Sequence, residues 1–204
     1  MPPWTGVSGF APDCILPVEL RPDEGEGIVA EIGFVLGGCR SGKSGYAQKR
    51  VLEARKPDKV FLATCAPRDE EMRRRVERHR LERGEQWRTV EEGLELPGTI
   101  RAQAGRDSVL LVDCLGMWVS NLLGGGLDEA ASRERFTALG KALKQAEGPV
   151  WLVSNEVGCG IVPGDPVSRS YRDLLGMLNQ RVAAISDRVV WMVAGLPVDI
   201  KGGA

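Results

Sequence analysis

The chain predicts an α/β domain, with a mostly parallel central sheet and helices on both of its faces. Three observations carry this. Five short runs, Ile32–Leu36, Lys59–Ala63, Val109–Val112, Val150–Val153 and Val189–Ala194, are continuously apolar rather than alternating, as strands covered on both faces are. The stretches between them are long enough for crossover helices, which make successive strands parallel. Residues 37–44, GGCRSGKS, follow the first run, precede a helix-compatible segment, and match the P-loop spacing G-x-x-x-x-G-K-[ST]. The expected fold is therefore a P-loop NTPase-type domain over residues 28–204.

Taken in order, residues 1–27 come first. They carry Pro2, Pro3, Pro12, Pro17 and Pro22 with glycines and acidic residues and no helical period, and read as an extended or disordered arm. The run IGFVL then delivers the chain to the P-loop. There Gly37, Gly38, Cys39, Arg40, Ser41 and Gly42 wrap a phosphate with backbone N–H groups. Lys43 reaches the outer phosphates, and the Ser44 hydroxyl is a ligand for Mg²⁺. Ser44–Lys56 places Ala47, Val51 and Ala54 on one face, as a helix packed on the sheet requires. The phosphates sit at its N-terminus, where the helix dipole also favours negative charge. The run VLLV ends at Asp113, which puts a carboxylate at the same carboxyl edge as a second Mg²⁺ ligand. Asn155–Gly158, NEVG, opens a loop at the end of the fourth run, and the fifth closes the sheet.

Composition narrows the class. Of 204 residues, 43% are apolar and 27% charged, with a net charge of −1, which argues against a nucleic-acid partner. No stretch approaches the roughly 18 apolar residues of a membrane span, and the N-terminus lacks the basic and apolar regions of a signal peptide. Five cysteines (14, 39, 65, 114 and 159) with no C-x-x-C spacing fit a reducing cytoplasm better than a disulfide framework or zinc site.

The chain has one histidine. It lies in RDEEMRRRVERHRLERGEQWRT, residues 68–89, where Glu70–Arg74 and Glu71–Arg75 are spaced for i,i+4 pairs on a solvated helix. Met72, Val76 and His79 fall at i, i+4 and i+7, so the imidazole shares the apolar stripe while arginines flank it. Arg75, Arg78, Arg80 and Arg83 are placed to gather triphosphate oxygens, and nearby cations favour a neutral imidazole, the nucleophilic form. Attack at the γ-phosphate gives phosphohistidine; attack at the α-phosphate gives a nucleotidyl-histidine and pyrophosphate. Spacing does not choose between them, nor between either and a core histidine.

The co-linear motifs VLGGCRSGKS, RHRLERGEQWRTVEE, LLVDCLGMWVSNLL, VSNEVGCGIVP and LNQRVAAISDRVVWMVAG, across about residues 32–201, resemble the bifunctional adenosylcobinamide kinase / adenosylcobinamide-phosphate guanylyltransferase family of cobalamin biosynthesis. The resemblance implies two reactions. A γ-phosphoryl group passes from ATP or GTP to the aminopropanol hydroxyl of adenosylcobinamide; GMP from GTP is then loaded on a histidine and transferred to adenosylcobinamide phosphate, giving adenosylcobinamide-GDP. It also implies that His79 is the guanylylated residue, and that Gly37–Ser44, Ala63, Thr64, Cys65, Arg80, Leu81, Glu82, Arg83, Glu91 and Asp113 contact nucleotide. A trimer is implied too. The chain departs from the family at Cys39, where a smaller residue is usual, at Gly45, where a larger one is frequent, and at Gly116, where Thr is common. The arm has no counterpart.

Two rivals share the P-loop: a simple small-molecule kinase whose arginine helix is a phosphate lid, and a switch or motor ATPase acting on a protein partner. The short chain and near-zero net charge count against the second.

Overall fold

A computed structural model describes residues 30–65, 74, 84 and 86–202. The arm at 1–27 and the histidine-bearing stretch at 75–83 lie outside them. The elements are β1 (Ile32–Gly37), α1 (Lys43–Glu53), β2 (Asp58–Ala63), β3 (Arg88–Glu91), α2 (Leu96–Gln103), β4 (Ser108–Asp113), α3 (Leu115–Gly124), α4 (Glu129–Lys144), β5 (Val150–Asn155), α5 (Pro166–Ile185), β6 (Arg188–Val193) and β7 (Leu196–Lys201). The strands form one sheet in the order β3-β2-β4-β5-β1-β6-β7. All neighbours are parallel except β7, which runs antiparallel to β6.

Alternation along each strand feeds two cores. Ile32 and Phe34 of β1 join Leu110, Leu152, Trp118, Phe136 and Leu178 beneath α2–α5. Val35 faces the opposite layer with Ala47 and Val51 of α1, Phe61, Leu111 and Trp151. The helix-on-both-faces expectation therefore holds, as do all five apolar runs. Boundaries moved by physical causes. The helix expected to reach Lys56 stops at Glu53, where Ala54 turns extended as the chain approaches Pro57. The last run ends at Val193, because Ala194 (φ 51°) and Gly195 (φ 85°) form the two-residue turn into β7.

Strands β3 and β7 were not foreseen. RTVE is short and half-exposed at one edge of the sheet, and LPVDIK is exposed at the other. Neither shows the continuous apolar run of a strand buried on both faces.

Candidate functional site: the carboxyl edge of the sheet

Because β1 to β6 are parallel, their carboxyl ends share one edge, where ligands of open α/β sheets bind. Gly37 ends β1 in register with Asn155 of β5 and Met192 of β6. A Cβ at Gly37 would lie 2.6 Å from the Met192 carbonyl oxygen and 2.7 Å from Ser41 Oγ, so only glycine lets the loop leave the strand here. Gly42, at φ 93°, caps α1 in the left-handed region. The loop is braced by Gly195 N donating to the Ser41 carbonyl oxygen (3.1 Å) and Tyr46 N to that of Gly42 (3.0 Å). Ser41 Oγ is buried with no hydrogen-bond partner among the described residues. An orphan hydroxyl inside a loop of backbone donors is a polar group left for an incoming ligand.

Lys43 opens α1, is nearly buried, and donates from Nζ to the Gly38 carbonyl oxygen (2.5 Å). Burial pulls its pKa below the usual lysine value, while Cys114, Asp113 and Cys39 act in the opposite direction. Residues from two separate places in the sequence thus converge on one ammonium. The P-loop and the end of β4 belong to one site.

The other predicted residues lie further along the same edge. Ala63 ends β2 in register with Asp113 on one side and Glu91 of β3 on the other. Thr64 is fully buried: its Oγ1 donates to the Cys114 carbonyl oxygen (2.7 Å) and accepts from Cys114 N (2.9 Å). Thr64 N also donates to the Asp113 carbonyl oxygen (3.3 Å). Cys65, half-buried, follows Thr64 at the end of β2. Glu91 is exposed and four strands from Gly37, about 19 Å at ~4.8 Å per strand. The edge therefore presents two neighbouring patches, one at the P-loop with Asp113 and one at Thr64 with Glu91. His79, Arg80, Leu81, Glu82 and Arg83 lie outside the described residues.

Of the four described cysteines, Cys39 and Cys114 both act on Lys43, Cys65 follows β2, and Cys159 is exposed in the loop after β5. Burial, then the Asp113 carboxylate, pushes the Cys114 thiol up to about 11.

Residues that pattern reading passed over complete the edge. Asn121 Nδ2 on α3 donates to the carbonyl oxygens of Thr64 (2.7 Å) and Gly93 (3.1 Å), tying the ends of β2 and β3 to one helix. Trp118 Nε1 donates to the Leu94 carbonyl oxygen (3.0 Å). Asn179 Nδ2 donates to the Asn155 carbonyl oxygen (3.0 Å), and Asn179 Oδ1 accepts from buried Ser154 Oγ (2.7 Å). Their common sequence signal is a polar side chain within an otherwise apolar helical face.

A P-loop closed by a β4 carboxylate specifies nucleotide binding, and comparison specifies more. The family model described as cobinamide kinase / cobinamide phosphate guanyltransferase matches residues 33–200. The chain belongs to that family. A bifunctional adenosylcobalamin biosynthesis protein, CobP, of Pseudomonas aeruginosa is 43% identical over 169 residues, covering 83% of this chain and 96% of that protein. The counterpart named CobU of Escherichia coli K12 is 37% identical over 180 residues, covering 82% and 98%. Among solved structures, the assembled ATPase EscN of the enteropathogenic E. coli type III secretion system superposes with a TM-score of 0.52 at 14% identity, over 83% of this chain and 48% of that one. That likeness concerns the fold alone. By family, then, this is an enzyme of cobalamin biosynthesis, a bifunctional cobinamide kinase and cobinamide phosphate guanylyltransferase.

Proposed function

We propose that the enzyme phosphorylates the aminopropanol hydroxyl of adenosylcobinamide with ATP or GTP, then passes GMP from GTP through a guanylyl-histidine at His79 to adenosylcobinamide phosphate. The observation that carries the first half is the convergence of Lys43, Cys39, Asp113 and Cys114 at one edge. In the kinase step the acceptor oxygen bonds Pγ, the bond from Pγ to the bridging oxygen breaks, the nucleoside diphosphate leaves, and the hydroxyl proton goes to solvent. P-loop backbone N–H groups and the Lys43 ammonium hold the charge that spreads over the phosphoryl oxygens. Triphosphate beside Lys43 favours its charged form and offsets the burial that lowers its pKa.

Mg²⁺ fits the residues present. Ser44 and Asp113 are hard oxygen donors at one edge, the set this ion takes, with phosphate oxygens completing it. When bound, Mg²⁺ neutralises charge on the β- and γ-phosphates. The Ser44 hydroxyl and the Asp113 carboxylate would hold it.

The second half rests on the resemblance and on the patch at Thr64 and Glu91, where the chain carrying His79 departs. The imidazole nitrogen bonds Pα and pyrophosphate leaves. A phosphate oxygen of adenosylcobinamide phosphate then bonds the same phosphorus, the N–P bond breaks, and adenosylcobinamide-GDP is released with the imidazole restored. Arg80 and Arg83 hold the triphosphate, with Leu81 and Glu82 beside them. This reading puts a homotrimer in the cytoplasm, where cysteine thiols stay reduced.

The test uses α-³²P-GTP and denaturing electrophoresis. Wild type should carry acid-labile, alkali-stable label. His79→Ala should lose the label and the GDP product but keep most cobinamide phosphorylation, because γ-transfer needs positioning rather than a covalent intermediate. Lys43→Ala should lose at least 100-fold in phosphorylation while still folding. Unlabelled wild type, or equal loss of both activities in a destabilised His79→Ala, would return His79 to the core-histidine reading.

A further inference from the structure

Three elements meet beside the P-loop on the face away from α1. Helix α3 starts just after Asp113–Cys114, β5 ends at Asn155, and α5 crosses above with Tyr171 near its start. Gly116 is buried on the first turn of α3. A Cβ built there would lie 2.9 Å from Tyr171 Oη and 3.4 Å from Asn155 Nδ2. Two polar groups from distant parts of the sequence therefore border the space that any larger residue at 116 would fill. Both side chains are half-buried, and neither Tyr171 Oη nor Asn155 Nδ2 has a hydrogen-bond partner among the described residues. The Tyr171 ring packs against the main core, so the hydroxyl is presented from a fixed platform.

We propose that Tyr171 Oη, entering the space left by Gly116, and Asn155 Nδ2 bind the oxygen at the reacting end of the phosphoryl acceptor, an alcohol that becomes a phosphate monoester. Gly116 and Tyr171 form a compensating pair in which the tyrosine hydroxyl takes the place that a side chain at residue 116 would occupy. The inference rests on the kinase half of the proposed function.

Position favours the acceptor over the nucleotide. Asn155 is the register partner of Gly37, and Glu156 N donates to the Gly37 carbonyl oxygen (3.1 Å), so the pair adjoins the root of the P-loop. Tyr171 belongs to the layer opposite α1, the helix whose N-terminus receives the phosphates, and Asn155 ends the strand that lies between the two layers. An in-line displacement brings the acceptor from the side away from the leaving group. The loop joining β5 to α5 also carries Ile161 and Val162, and the first turn of α5 carries Val167; all three are exposed, a wall for the apolar flank of a large acceptor. Arg172 Nη2 donates to the Gly158 carbonyl oxygen (3.0 Å) and Arg169 Nη1 to that of Gly164 (2.7 Å), fastening the loop to the helix that bears Tyr171.

The experiment measures cobinamide phosphorylation, GTP self-labelling and thermal unfolding in parallel. If wild type does not phosphorylate cobinamide, the proposed function itself fails. If it does, Tyr171→Phe should raise KM for cobinamide about five- to tenfold, the range for one lost hydrogen bond. KM for GTP, self-labelling and unfolding temperature should stay at wild-type values. Gly116→Thr should impair acceptor use through the clash with Tyr171 Oη, and Gly116→Thr combined with Tyr171→Phe should return KM to within about twofold of wild type. A wild-type cobinamide KM in Tyr171→Phe overturns the contact. So does a matched rise for GTP with lowered stability, and a double variant no better than Gly116→Thr overturns the pairing.

Discussion

At the residue scale, the P-loop edge holds titrating groups whose shifts oppose one another. Burial, then Asp113, pushes Cys114 from its ordinary 9.0 to about 11, and burial, then Cys114, pushes Tyr171 from 10.0 to about 12. Each keeps its proton when folded over a range where the unfolded chain has lost it. Their contributions are thus full below pH 9.0 and 10.0, and vanish as pH rises through about 11 and about 12. Lys43 runs the other way, since its lowered pKa makes folding easier as its proton leaves. Two large shifts against one smaller one predict a falling unfolding temperature between about pH 9 and 12. Two units at Cys114 set an upper bound of about 2.7 kcal/mol. Cys114→Ser, which removes the titration, should lessen the drop between pH 8.5 and 11 by about 5 °C. Parallel wild-type and variant curves would show that the Cys114 thiol titrates alike in both states.

At the element scale, α3 organises the edge. It starts just after Asp113–Cys114, and from its second turn Asn121 draws in the ends of β2 and β3. Asn121→Ala would leave two carbonyl oxygens without their donor and should cost about 1–3 kcal/mol. Guanylylation should suffer more than phosphorylation, because the strand ends released are those beside Thr64 and Glu91, not the P-loop. Equal losses in the two activities, measured at a temperature where the variant is folded, would remove α3 from that role. The same helix shows where sequence reading succeeds and stops. Leu115, Trp118, Val119 and Leu122 give it a helical apolar period, and VLLVD before it announces both strand and carboxylate. These are local patterns of period and termination. Asn121 acts on carbonyls 57 and 28 positions away, and Tyr171 meets Gly116 only once α5 has folded over α3. Such partners have no local pattern. Strand β3 was missed for a related reason: its pairing with β2 holds it in the sheet, while its own side chains stay half in solvent.

At the scale of the whole molecule, a parallel sheet this well covered leaves an obvious question at its β7 edge. Five large apolar side chains are exposed there: Trp191 (41%), Val193 (47%), Leu196 (69%), Val198 (44%) and Ile200 (60%). Trp191 pairs with Val198 and Val193 with Leu196 across the β6–β7 hairpin, so these four form one continuous face, which Ile200 extends by the two-residue period. The β7 edge is also unpaired among the described strands. A contiguous apolar face beside an open strand invites association unless another surface covers it. A second copy of the chain, as in the proposed trimer, would supply that surface. Light scattering should therefore find a multiple of 22.1 kDa, three for the expected trimer. Leu196→Lys with Ile200→Lys should move the mass toward 22.1 kDa, because two buried, unpaired ammonium groups cost more than the face gains by closing. Both positions lie in solvent within one chain, so far-UV circular dichroism should be unchanged. A monomeric wild type, or a trimer that tolerates both lysines, would assign this face to something other than self-assembly.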